Sequence, residues 1–162
     1  MKSTMLALAL FFTFCLSGFD NDAPNNFLTV GNKTHSLDFS EVANESYGIN
    51  SKFEIDLINQ DKDVTKATTY VYFSLTSNST ANLSNGVYQF SSATLNERLP
   101  FQFNGSLKVN NHVIEIAGGT ISIENRKSNV DIHFILKLKN GDIANGIYRG
   151  EALKVDRSQA YN

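Results

Sequence analysis

The chain has no tryptophan, one cysteine, two prolines and three histidines in 162 residues. A lone cysteine cannot close an internal disulfide, so stability must come from packing and strand pairing. Two prolines, Pro24 and Pro100, leave the long stretch between them free to enter a sheet ladder. The histidines, His35, His112 and His133, are far apart, and zinc needs about four ligands gathered closely. Neither sign of charge dominates: 14 basic and 16 acidic residues give a formal charge of -2. That balance argues against nucleic acid, which requires a basic stripe. It also gives no attraction to an anionic membrane surface.

Catalytic signatures are missing as well. There is no Gly-x-Ser-x-Gly elbow, and Asn104-Gly105-Ser106 reads as a turn before a strand. No glycine-rich phosphate loop precedes a helix. Glu54, Asp56, Glu115, Glu124 and Asp131 alternate with apolar residues, which makes them the wet side of strands rather than a glycosidase pair. Asp20-Asn21-Asp22 and Asp61-Lys62-Asp63 read as tether and turn, not as calcium loops. No cofactor and no metal is expected.

What is present begins with Lys2 and the apolar run Met5 to Phe14. About ten apolar residues are too few to span a bilayer, but they match the core of an export signal. Cys15 follows the run and has two readings. It is the lipid-modified first residue of a lipoprotein, or it leaves with a signal cleaved after Ser17 or Gly18. Phe14 stands where lipoprotein processing wants a small residue, whereas Cys15-Leu16-Ser17 suits ordinary cleavage. Residues 1–18 are therefore a signal, 19–26 a polar tether, 27–157 one β domain and 158–162 a tail.

From Phe27 the hydrophobic period is two, the mark of strands with one buried face. Phe27 to Leu37 predicts a hairpin turned at Gly31-Asn32. Phe53, Ile55 and Leu57 alternate with acids. Val71, Phe73 and Leu75 alternate with Tyr70, Tyr72 and Ser74. Asn85-Gly86 introduces a strand, Phe101 and Phe103 follow Pro100, and Asn110-Asn111 makes a turn. Gly118-Gly119 shifts the alternation from even to odd positions, which calls for a bulge or turn. Val130 to Leu138 is a clean strand, and Asn140-Gly141 predicts a tight hairpin to the strand from Ile143. Gly146, Tyr148, Gly150 and Ala152 share one face, small residues around a large ring. Glu41 to Glu45 and Ala93 to Arg98 each suit a single turn. The expected architecture is all-β: an antiparallel meander of about eight strands, as an up-and-down barrel of lipocalin type or a barrel-like sandwich.

Together with the opening hairpin, the segments Tyr70 to Leu75, Asn85 to Phe90, Gly119 to Ile123 and Asn140 to Gly150 carry a resemblance. The chain resembles the small exported β-rich proteins and lipoproteins of Bacteroidota, a group without assigned activity. The resemblance covers most of the mature chain and implies a cell-envelope or secreted location: periplasm, outer surface by a lipid anchor, or medium.

Three functions are open to such a chain. The first is a non-enzymatic envelope module that binds a protein or glycan. The second is a carrier of a small apolar ligand, although lipocalin-like barrels usually hold a Trp near the first strand. The third is an enzyme of an unrecognised kind. Tyr70 and Tyr72, on the face opposite Val71 and Phe73, are the residues that suggest a contact stripe. Membrane contact is expected only through an anchor at Cys15.

Overall fold

The computed structural model describes residues 25–59 and 67–158. The expected signal with Cys15, the tether up to Pro24, the Asp61-Lys62-Asp63 turn and the tail beyond Ser158 lie outside the described residues.

Eleven strands form one strongly curled sheet, a half-barrel. They are β1 (Phe27–Val30), β2 (Lys33–Ser36), β3 (Phe39–Asn44), β4 (Lys52–Ile58), β5 (Thr69–Thr76), β6 (Gly86–Phe90), β7 (Gln102–Val109), β8 (His112–Asn125), β9 (Asn129–Leu138), β10 (Ile143–Glu151) and β11 (Leu153–Asp156). The spatial order is β11-β3-β4-β5-β7-β6-β8-β9-β10-β1-β2. The all-β, barrel-like expectation stands, with two refinements. Two pairs are parallel, β6 with β7 and β11 with β3. Among the described residues β2 and β11 are edges with a neighbour on one side only.

The alternation read from the sequence sorts the two faces of the sheet. Val71, Phe73 and Leu75 of β5, Phe103 and Leu107 of β7, and Ile132, Phe134 and Leu136 of β9 are buried. Their rings interlock: Phe73 meets Phe103 edge-on at 5.7 Å and Phe134 at 5.4 Å, and Phe90 meets Phe103 at 5.9 Å. Such offset contacts suit the ring quadrupole, and each fully buried large side chain contributes about 1.5–3 kcal/mol.

Gly118-Gly119 is a bulge inside a continuous β8, with the register against β9 shifting between Ile116 and Gly118. The shift returns Ile116, Ile121 and Ile123 to the same buried face. Gly119 has φ +125°, and any side chain there would strike the Ile135 carbonyl. β6 fills the gap where β7 and β8 diverge: Val109 to Ser106 pair with His112 to Glu115, while Thr120 to Ile123 pair with β6.

Three local expectations are corrected. Glu41 to Glu45 is not a turn: Glu41 to Asn44 lie in β3, which is hydrogen-bonded on both sides. Its acids concealed the pattern because their partner, Arg157, lies more than a hundred residues away. Asn104-Gly105-Ser106 lies in the middle of β7, where a side chain on Gly105 would meet the Tyr72 carbonyl. Phe101 is not a strand residue. It turns with φ +62°, held by its N–H to the Thr76 carbonyl at 2.8 Å and by the Gln89 N–H to its own carbonyl at 2.9 Å. The hairpin expected at Asn140-Gly141 is present, with β10 beginning at Ile143; its link spans Lys139 to Asp142, and the Leu138 N–H donates to the Asp142 carbonyl at 2.9 Å. The two-residue turn with both φ values positive is instead Asn110-Asn111, at 50° and 66°. The turn expected within Ala93 to Arg98 is present as one 3-10 turn, Leu95–Glu97.

Candidate functional site

Strand alternation places Tyr70 and Tyr72 opposite the core face of β5, where β4 presents Glu54 and Asp56. Register puts Tyr70 across from Ile58 and Tyr72 across from Asp56, so each phenol reaches diagonally to the acid two residues on. The Tyr70 hydroxyl donates to Asp56 Oδ1 at 2.6 Å and the Tyr72 hydroxyl to Glu54 Oε1 at 2.7 Å. The rings lie 6.4 Å apart, tilted by 31°. Both tyrosines are half-buried, so the expected stripe is partly covered by its own hydrogen bonds.

Charge surrounds this pair. Lys52 Nζ lies 2.6 Å from Glu54, and Arg157 reaches Glu41 at 2.5 Å and Glu45 at 3.0 Å. Burial, and then the neighbouring carboxylates, push both phenols well above their ordinary range, so they remain protonated donors. Burial raises the Asp56 carboxyl above its usual value despite the Tyr70 hydrogen bond. Burial also acts upward on Glu54, but Lys52 and the Tyr72 hydroxyl outweigh it and hold that carboxyl low. The face therefore offers ring surfaces and tethered carboxylates, with no activated nucleophile.

Beside it, Arg98 is 7% exposed and has no carboxylate partner among the described residues. Its guanidinium donates to Ser74 Oγ at 2.9 Å and Asn104 Oδ1 at 3.3 Å, clipping the 3-10 turn onto β5 and β7. Nothing in the sequence marks this residue, because its partners come from two other strands.

A second feature was not legible at all. A cleft of about 720 Å³ opens where the ends of β3, β4 and β11 meet the 81–85 loop and the β8–β9 turn. Val42, Phe53, Leu83 and Val155 supply apolar lining, and Lys127, Lys154 and several asparagines supply polar lining. Asn125 organises it. Its amide nitrogen donates to the Leu83 carbonyl at 3.1 Å, its backbone N–H to Asn85 Oδ1 at 2.7 Å, and its Oδ1 accepts from Lys154 Nζ at 2.5 Å. Burial draws the Lys154 amine below its ordinary range. The asparagines look like turn formers in the sequence, and only their tertiary placement makes them a lining.

The histidines do not converge. His133 lies 2.7 Å from Asp131, which also pairs with Arg149 at 2.9 Å. Among the described residues no group of three or more His, Cys, Asp or Glu could hold a metal ion. On the same outer face Val87 and Ile135 are exposed at a smaller hollow of about 450 Å³. No family model, no curated protein and no solved structure matches this chain.

Proposed function

We propose that the chain is an exported, non-catalytic β domain that binds a protein or glycan partner, with Tyr70 and Tyr72 in the contact. The observation that carries this reading is the filled interior. Phe73, Phe103 and Tyr88 are fully buried and Phe134 is 2% exposed, so recognition falls to the surface of the sheet. The Tyr70–Tyr72 face combines ring surface with carboxylates, a pairing suited to sugars and to basic protein segments. The apolar run before Cys15 supports export.

The test has two parts. Mass spectrometry of the protein from its native host is expected to find a chain starting at residue 18 or 19, or at a lipid-bearing Cys15. A cytosolic chain that retains Met1 overturns the export reading. Photo-cross-linking from p-benzoylphenylalanine placed at position 72 is expected to trap one envelope component, in competition with the unlabelled parent. No cross-link above that from position 135, an exposed site several strands away on β9, overturns the contact.

A further inference from the structure

We propose that the cleft between the ends of β3, β4 and β11 and the β8–β9 turn binds an organic anion with an apolar body, its carboxylate held between Lys127 and Lys154. This goes beyond partner contact at the tyrosine face and does not depend on it.

The lining is apolar where it meets the core. Val42 and Leu83 are 4% exposed and Phe53 3%, and all three belong to the main hydrophobic cluster. Only a small part of each is open to the cleft, so an apolar body placed there meets the outer skin of the core, with half-buried Val155 beside it. The amides around it are already committed. Asn44 donates to the Thr80 carbonyl and accepts from the Ser46 N–H, and Asn125 is engaged on three sides.

What remains is cationic. Among the described residues Lys127 has no hydrogen bond or ion pair, and Lys154 has no carboxylate partner and gives one hydrogen to Asn125. Arg126 is neutralised by Glu124 at 2.6 Å. The acid in the lining, Asp156, accepts the Ser158 N–H at 2.9 Å and hydroxyl at 2.6 Å on one oxygen and keeps its negative charge, so the two lysines outnumber it. Two ammonium groups with no ion-pair partner among the described residues, beside an apolar wall, complement an amphiphilic carboxylate, and charge-assisted hydrogen bonds are the stronger kind. The volume of about 720 Å³ lies within the range of about 300–1,000 Å³ typical of small-ligand sites.

Decanoate, below its micelle concentration, is titrated into the purified full chain as its host processes it, and backbone amide NMR follows the binding. Saturable shifts confined to residues 81–85, 125–127 and 153–156 are expected. Decanol, with the same body and no charge, is expected to bind at least tenfold more weakly. Lys127→Gln and Lys154→Gln are each expected to weaken decanoate about tenfold, with decanol binding and the melting temperature unchanged. The proposal is overturned by shifts centred on Val87 and Ile135, by equal binding of decanol, by full affinity in both variants, or by no saturable binding. None of these outcomes alters cross-linking at position 72, so the two readings fail separately.

Discussion

Phe134 occupies the space that a side chain at position 146 would need. A Cβ on Gly146 would run into the Phe134 ring and lie 2.5 Å from the Phe27 carbonyl. The pair Gly146–Phe134 is in direct register across β9 and β10. Gly146→Ala is therefore expected to destabilise the protein by about 2–3 kcal/mol, read from the urea midpoint, because overpacking cannot relax against backbone. Adding Phe134→Leu should recover only part of the loss, since the Phe27 carbonyl stays. Full recovery would mean that the ring alone sets the requirement. The sequence showed that Gly146, Tyr148 and Ala152 share a face with small residues around a ring. It did not show that the ring over Gly146 comes from β9 and not from Tyr148.

The β4–β5 pair carries two carboxylates shifted in opposite directions, which gives opposite pH responses. Glu54 is held low in the folded state, so its contribution is present above the ordinary value of 4.5 and is lost as pH falls through the folded value. Asp56 is raised, so its contribution is present below 3.8 and is lost as pH rises through the folded value. Glu54→Gln should cost about 1 kcal/mol at pH 7 and almost nothing near pH 3. Asp56→Asn should gain stability relative to the parent as pH climbs from 3 to 7. Chemical denaturation at a series of pH values reads both, and parallel curves for the two variants would refute the assignment. The alternation that places these acids on one side was plain in the sequence. β3 was not, because its outward Glu41 and its Ser40, buried at 0%, leave too little apolar alternation over Phe39 to Asn44.

The sheet curls so that consecutive strands sit near opposite ends of the strand order. β2 passes to β3 through Leu37 and Asp38 alone, and β10 passes to β11 through Ala152. Buried Leu37, whose N–H donates to the Asn26 carbonyl at 3.1 Å, and the Ala152 N–H on the Ser128 carbonyl at 2.9 Å fix those crossings. The half-barrel is thus drawn together by short covalent links and not by a β2–β11 ladder. Amide exchange is expected to be slowest in β4, β5 and β7, paired on both sides, and fastest in β2 and β11. Arg157→Ala, which removes the ties to Glu41 and Glu45, should speed exchange at residues 153–156 and leave β5 unchanged. Protection in β2 and β11 equal to that in β5 would contradict the open arrangement.

Period-two alternation, the hairpin residues and the paired glycines determined the fold class, the faces of most strands and the bulge in β8. These are local properties: a strand shows its buried side every second residue, and a turn shows its positive φ in the residues that tolerate it. Strand order, the two parallel pairs, the Arg98 clip and the cleft at Asn125 belong to the tertiary structure alone. Each depends on which distant segments close upon one another, and that choice rests on the total burial and hydrogen bonding of the curled sheet, which no single segment encodes.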